Sequence, residues 1–201
     1  MTKFLNVAAV LALSATILVG PSLAGPATGS DKAYAAAMDT MMQDMMQPPT
    51  GKADLDFVSG MIPHHEGAVA MAKVEKQYGK DPEMLKLADV VIAAQTTEID
   101  MMKGWLTAKP LAQAEAVPEA TKAAAASMDK MMGDMMVPTT GKPDIDFAKG
   151  MIPHHQGAID MANVVLKFGT DADIKTMAEG VVKAQSGEIT LMKDWLTKHG
   201  G

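Results

Sequence analysis

Two adjacent histidines flanked by methionines occur twice in this 201-residue sequence, as GMIPHHEGAVAMA (60–72) and GMIPHHQGAIDMA (150–162). At about 100° per residue of helix, both histidines and both methionines of one copy share a face. Imidazole nitrogen accepts Cu(I) and Cu(II), and thioether sulfur prefers Cu(I) or Ag(I). We therefore predict a copper site, with Ag(I) as a further candidate, whose ligands are Met61, His64, His65, Met71, Met151, His154, His155 and Met161.

The same histidines also have an ordinary interpretation. A histidine that points inward is most often a core residue that hydrogen-bonds a neighbouring side chain. Zinc is a weaker candidate than copper, because zinc more often recruits carboxylates or thiolates beside histidine and the chain has no cysteine. Since imidazole must be neutral to bind a metal, copper affinity should fall below about pH 6.

Methionine is the second unusual feature, with 20 residues in the chain against four phenylalanines. Five of them recur at i, i+3, i+4, i+7 and i+8 ahead of each histidine segment. Such a stripe serves equally as an adaptable hydrophobic face or as a row of soft metal ligands. The candidate accessory ligands are Met38, Met41, Met42, Met45, Met46, Met102, Met128, Met131, Met132, Met135, Met136 and Met192.

A third segment places polar groups on an otherwise apolar helical face. Buried amides and carboxylates need partners, and the histidines of the neighbouring helix are the obvious ones. We expect these groups to orient the imidazoles. They are Gln95 and Glu98 in the first copy, and Gln185 and Glu188 in the second. Trp105 and Trp195 are interpreted as packing caps, and the unrepeated His199 as a weak accessory ligand at most.

These segments belong to an internal repeat. Residues 38–106 align with 128–196 at an offset of 90, and 37 of the 69 pairs are identical. Each copy reads as a Met-rich helix followed by a helical hairpin, with Ala, Met, Lys and Glu dominant and no strand. Asp54 and Asp144 are expected to cap the histidine helices, and Asp81 and Asp171 the third helices.

The predicted fold is all-α. One hairpin cannot bury its inner face, so two hairpins would complete a four-helix bundle, with the Met-rich helices as accessories. The alternative is two separate bundles, each completed by another chain. The first repeat is placed at 31–108, a linker at 109–119 and the second repeat at 120–199.

The N-terminal residues 1–24 read as a signal peptide, with Lys3, an apolar run and small residues before Ala24. Retention as a membrane anchor is the alternative, although the run is short for a span. We expect a periplasmic or secreted protein with no stable membrane insertion after cleavage. A net charge of −6 without a basic cluster argues against nucleic acid as a partner.

Catalysis is not expected from these residues. A di-iron bundle needs several inward carboxylates and a Glu-x-x-His pair, and neither Glu98 nor Glu188 has a histidine three residues later. The pair His65-Glu66 is not followed by x-x-His, so the metalloprotease motif is absent from the sequence.

GMIPHHEGAVAMA with QTTEIDMMKGWL, and GMIPHHQGAIDMA with QSGEITLMKDWL, resemble the family known as domain of unknown function 305, in two tandem copies. The resemblance implies a ferritin-like helical bundle in exported bacterial proteins, some of which, of the CopM type, bind copper and protect against it. It places the family's His-His motif on His64, His65, His154 and His155, its methionines on Met61, Met71, Met151 and Met161, and its Gln-x-x-Glu on Gln95, Glu98, Gln185 and Glu188.

Two functional hypotheses follow. The first is a non-enzymatic copper protein that sequesters or buffers the metal outside the cytoplasm and exchanges it with copper-delivery or efflux proteins. The second is a helical interaction module, in which the Met-rich faces dock a partner protein and the histidines belong to the core.

Overall fold

The structure, a computed structural model, describes residues 28–109 and 115–201, and every regular element within them is an α-helix. The predicted signal peptide and part of the predicted linker lie outside these residues. The helices are α1 (Gly29–Met45), α2 (Ala53–Tyr78), α3 (Pro82–Ala108), α4 (Pro118–Asp134), α5 (Pro143–Phe168) and α6 (Ala172–His199). Helices α1 to α3 belong to the first repeat and α4 to α6 to the second.

The two histidine helices form the centre of the molecule. Helix α2 packs against α1, α3 and α5, and α5 packs against α4, α6 and α2. One hydrophobic cluster combines Ala68, Leu87, Phe147 and Trp195, from α2, α3, α5 and α6. A second cluster draws on the same four helices. Because both clusters combine the two hairpins, the described residues form one shared bundle, as the first interpretation of the repeat predicts.

Two methionines of each stripe are buried against the bundle. Met41, Met45, Met131 and Met135 form a third buried cluster, which consists of methionine alone. Four further methionines, Met38, Met42, Met128 and Met161, pack against it from partly buried positions. We call the first four residues the methionine cluster. Each stripe therefore holds its helix against the bundle, as an adaptable hydrophobic face would.

The predicted caps of the third helices are confirmed. The carboxylate of Asp81 accepts hydrogen bonds from the backbone N–H groups of Glu83 and Met84, and Asp171 does the same at α6 for Asp173 and Ile174. These bonds satisfy amide donors that have no partner within the first turn of a helix.

The predicted caps of the histidine helices are wrong. Lys52 and Lys142 occupy the N-cap positions, and Asp54 and Asp144 lie inside the first turn. An acidic side chain is still favourable there, because it faces the positive end of the helix dipole.

The carboxylates of Asp54 and Asp144 instead tie the two hairpins together. Asp54 Oδ2 accepts hydrogen bonds from the backbone N–H of Thr170 at 2.9 Å and of Asp171 at 3.3 Å. Asp144 Oδ1 accepts from the N–H of Asp81 at 2.7 Å. Each histidine helix thus anchors the loop that opens the third helix of the other repeat.

The two repeats differ at a buried glutamic acid of α2. The side chain of Glu75 in α2 is fully buried, while Val165 occupies the equivalent position in α5. The hydroxyl of Tyr34 donates to Glu75 Oε2 at 3.3 Å. Burial, together with the neighbouring carboxyl of Asp144 and the more distant Asp81, raises the pKa of Glu75 to about 8. Glu75 is therefore mostly protonated in the folded protein at pH 7.

This raised pKa predicts a specific pH dependence of stability. The carboxyl of Glu75 ionises near its ordinary pKa in the unfolded chain, but near 8 in the folded one. Its favourable contribution is thus fully present below about pH 4.5 and is lost as the pH rises towards 8. The melting temperature of Glu75→Gln relative to wild type should therefore increase between pH 5 and pH 8. Glu66→Gln, on the exposed side of α2, is the control, and an equal change in both variants would contradict the assignment.

Candidate metal centre

Four imidazoles lie in a row across the centre of the bundle, in the order His65, His64, His154, His155. The ring centroids of His64 and His154 are 3.8 Å apart, with the ring planes tilted by 47°. The adjacent histidines within each helix are 6.2 Å apart. All four side chains are completely buried. We call this arrangement the imidazole row; its central pair joins the two repeats.

The ring nitrogens of the central pair make no hydrogen bond of regular geometry. Among the described residues, neither Nδ1 nor Nε2 of His64 or His154 has such a partner, although the backbone of each histidine lies close enough to the other ring to favour its protonated form slightly. Burial, reinforced by the neighbouring imidazoles, holds the pKa of both residues well below the ordinary value of 6.5. Both rings are therefore neutral at pH 7, and each offers an unshared nitrogen lone pair. Buried nitrogens without partners are costly in a protein interior unless they receive a donor or a cation.

The outer imidazoles of the row are fixed by carboxylates, as predicted. His65 Nε2 lies 2.7 Å from Glu98 Oε2, and His155 Nε2 lies 2.6 Å from Glu188 Oε2. If Nε2 carries the proton that it donates to the carboxylate, Nδ1 keeps its lone pair. The Nδ1 atoms of both residues have no partner.

The predicted amides sit on the same helices but do not complete this network. Gln95 and Gln185 are buried, and the side-chain oxygen Oε1 of each has no hydrogen-bond partner. Their expected role in orienting the imidazoles stays a prediction.

Two glycines of the histidine helices leave room for thioether side chains from the Met-rich helices, and one of these glycines also lies near a ring of the central pair. A methyl carbon added to Gly157 would lie 2.8 Å from Met131 Sδ and 3.3 Å from His64 Nε2. One added to Gly67 would lie 2.6 Å from Met41 Sδ. Both glycines come three residues after the first histidine of their copy, on the same helical face. The missing side chains leave the space in which Met41 and Met131 pack.

The methionines of the predicted ligand set lie in several environments. Met61 and Met151 are fully buried in the two hydrophobic clusters, as are Met102 and Met192. Met71 packs in the first cluster with its methyl group near Gly150, and the methyl group of Met161 lies near Gly60. Their participation in a metal site stays a prediction.

The tryptophans near the ends of α3 and α6 pack as expected. Trp195 is buried, and its indole stacks on the imidazole of His199 at a centroid distance of 4.3 Å. His199 Nδ1 lies 2.8 Å from the carbonyl oxygen of Trp195. Trp105 packs half-buried against the second hydrophobic cluster.

Sequence reasoning missed the pairing of His64 with His154, and it named Met41 and Met131 only among the candidate accessory ligands. One signal was available for the methionines, because Gly67 and Gly157 recur on the histidine face of both copies. A glycine inside a helix lowers its stability, so a repeated one indicates close packing.

The donors that meet at the centre are imidazole nitrogen and thioether sulfur. Within residues 28–109 and 115–201, no three His, Cys, Asp or Glu side chains come together as a metal-binding group. The central pair and the two thioethers instead suit a soft, monovalent cation such as Cu(I) or Ag(I). Neutral imidazoles in a dry interior would hold such a cation without competition from protons at pH 7.

The close packing at Gly157 and the open space at Gly187 predict opposite effects of two alanine substitutions on stability. Gly157→Ala should lower the free energy of unfolding by about 1–3 kcal/mol, because the new methyl group displaces the side chain of Met131. Gly187→Ala, in α6, meets nothing within 4 Å and should raise it by about 0.5–1 kcal/mol through helix propensity. Urea denaturation of both variants measures these changes. A stabilising effect of Gly157→Ala would contradict the close packing.

Solved structures share this fold. CopM in its Cu(I)-bound form is 30% identical, with a TM-score of 0.57, over 74% of this chain and 98% of that chain. CopM has also been solved in apo, Ag-bound and Cu(II)-bound forms. A DUF305 protein from Streptomyces coelicolor is 27% identical, with a TM-score of 0.61, over 76% of this chain and 97% of that chain.

Sequence comparisons gave a short match to a curated relative and a match to a family model. An uncharacterized protein of Acanthamoeba polyphaga mimivirus, L153, is 38% identical over 58 residues, which are 29% of this chain. The match spans only 38% of the length of that relative. The family described as domain of unknown function DUF305 matches residues 54–196, from the first histidine helix to the end of the last helix. The chain therefore belongs to the DUF305 family.

Proposed function

We propose that the protein is a non-enzymatic copper binder that works outside the cytoplasm and sequesters or buffers the metal. The central pair, His64 and His154, holds Cu(I) or Ag(I) together with the thioethers of Met41 and Met131. His65 and His155 extend the site and also accept Cu(II), for which imidazole is a suitable ligand. The metal is exchanged with copper-delivery or efflux proteins.

One observation carries the proposal. The ring nitrogens of two fully buried, neutral imidazoles have no hydrogen bond of regular geometry among the described residues. A core histidine kept for packing alone would normally satisfy at least one nitrogen in this way. A bound cation would compensate the lone-pair nitrogen of each ring, and a thioether packs near His64. The likeness to CopM, solved with Cu(I), Ag and Cu(II), adds independent support.

The location outside the cytoplasm rests on two further observations. Residues 1–24 have the composition of a signal peptide. The chain has no cysteine, and thioether is the soft ligand that resists oxidation better than thiolate does. No helix within the described residues has both the length and the hydropathy that a membrane span requires.

A docking function has its own supporting observation. Met46 and Met136 follow the Met-rich helices and are 73% and 83% exposed. Exposed methionines suit adaptable protein contacts. In that case the histidines would belong to the core, and their removal would destabilise the protein.

Replacing the central pair separates the two functions. In His64→Leu/His154→Leu, the apolar side chains remove nitrogens that lack partners, so the metal-free protein should melt at an unchanged or higher temperature. Its affinity for Cu(I), measured anaerobically against a competing chelator, should fall by more than about 100-fold. His199→Ala is the control and should keep the wild-type affinity. Wild-type copper affinity combined with a large loss of stability would support the docking function instead.

Removing the carboxylates at the ends of the row should have a smaller effect. Glu98→Gln/Glu188→Gln keeps a hydrogen-bonding group beside each outer imidazole but removes the negative charge. We expect a 10–100-fold lower copper affinity, which is typical of groups that orient a ligand without touching the metal. The same chelator competition measures it, and Glu66→Gln, which lies on the exposed side of α2, is the matched control. Equal affinities in all three proteins would contradict this role.

A further inference from the structure

A cavity of about 610 Å³ lies beside the Met-rich helices, away from the imidazole row. Seven methionines line it, from α1 and the residues after it, from α2, and from α4 and the residues after it. We call it the methionine cavity. Its methionines are Met38, Met42, Met46, Met71, Met132, Met135 and Met136.

The methionine cavity is open to solvent and carries negative charge. Met46 and Met136, both highly exposed, contribute to its wall. Asp31, Asp39 and Asp146 line it as well, against one lysine, Lys149, among the described lining residues. The three carboxylates and the single ammonium leave an excess of negative charge, which favours the arrival of a cation.

One of these carboxylates is incompletely satisfied. Asp146 is only 6% exposed. Its Oδ1 accepts hydrogen bonds from the backbone N–H and the hydroxyl of Thr140, at 2.7 Å each. Its Oδ2 is buried and has no partner. A buried carboxylate oxygen without a donor is costly, and a cation in the cavity would offset that cost.

The other repeat provides an internal comparison. The equivalent cavity, of about 580 Å³, contains Asp56 in the position of Asp146. Both oxygens of Asp56 are satisfied, since Oδ2 accepts from the N–H of Gly51 at 2.8 Å and Oδ1 from Thr50. Only four methionines line this cavity, Met45, Met46, Met128 and Met161, among apolar residues such as Phe57. The methionines themselves are the same at equivalent positions of both repeats. The two cavities therefore differ in how many of these side chains line them and in the state of the carboxylate.

We propose that the methionine cavity is a second site for a monovalent soft cation, Cu(I) or Ag(I), separate from the imidazole row. Thioether sulfurs bind the ion through their lone pairs, and the carboxylates supply compensating charge. No electron or proton is transferred in this step. The inference shares the choice of metal with the proposed function, but its ligands are different residues. It can therefore be tested after the imidazole donors have been removed.

The test uses Ag(I), which needs no reductant, in chloride-free buffer. The full chain with His64→Leu/His154→Leu is labelled with ¹³C at the methionine methyl groups and titrated with silver nitrate. The methyl resonances of Met38, Met42, Met71 and Met132 should shift together as one equivalent of Ag(I) binds. Single Met→Leu substitutions assign these resonances.

Matched substitutions in the two repeats then locate the site. Met38→Leu/Met71→Leu, in the same background, should weaken this binding by at least about tenfold. Met128→Leu/Met161→Leu changes the equivalent residues of the other cavity and should leave it unchanged. Leucine keeps the volume and the apolar character of methionine, so both pairs should fold.

The outcomes are distinct from those for the imidazole row. If the His64→Leu/His154→Leu protein binds no Ag(I), or if both methionine pairs weaken the binding equally, the second site is wrong. The proposed function is judged separately, by the difference in affinity between wild type and His64→Leu/His154→Leu. A different result would support the metal site in the methionine cavity: His64→Leu/His154→Leu binds Ag(I), and only Met38→Leu/Met71→Leu weakens this binding. That result would hold even if wild type and His64→Leu/His154→Leu had equal affinities.

Discussion

The close approach of two neutral imidazoles at the centre of the bundle is the constraint on which the structure depends. His64 and His154 approach to 3.8 Å between centroids, with tilted rings and without a hydrogen bond of regular geometry to either ring among the described residues. Such an arrangement costs free energy, because the ring nitrogens leave water and gain no good hydrogen bond. The hydrophobic clusters on either side, which combine all four bundle helices, must offset that cost. A stability optimum would place apolar side chains here, so the histidines indicate a site kept for function.

Duplication explains how this centre arises. When two copies of one helix pack face to face, a residue near the axis between them meets its own counterpart. A single inward histidine per helix therefore produces a pair. The glycine three residues later leaves room for one thioether in each repeat. The second histidine of each copy lies farther from the axis and contacts a carboxylate on the third helix of its own repeat. The same His-His segment, present in both repeats, thus produces an inner pair of imidazoles without regular hydrogen bonds and an outer pair held by carboxylates.

The periodicity of the sequence predicts the helices and the inward histidines, because these depend on local spacing. It also predicts that Glu98 meets a histidine of the neighbouring helix, although it does not say that this histidine is His65. It does not predict that His64 meets His154, since the relative placement of two hairpins depends on packing between distant residues. The N-caps show the same limit. Asp81 caps its own helix, as its position suggests, whereas Asp54 lies inside a first turn and binds backbone amides 116 residues away. Residue type alone cannot distinguish a local cap from a long-range tie, because both use the same carboxylate.

The differences between the repeats lie around the shared centre. At the axis, the histidines, the glycines and the two inner methionines are the same in both copies. Towards the periphery, Glu75 is replaced by Val165 in the second repeat, and Tyr34 by Ala124 when the offset of 90 is extended beyond the alignment. The carboxylate of Asp146 lacks the donor that Asp56 has. A change at the axis would alter an interaction that both repeats share, whereas a change at the periphery alters one repeat alone. Divergence is therefore least costly at the cavities and the buried carboxyl, and these are the places where the two halves have acquired different chemistry.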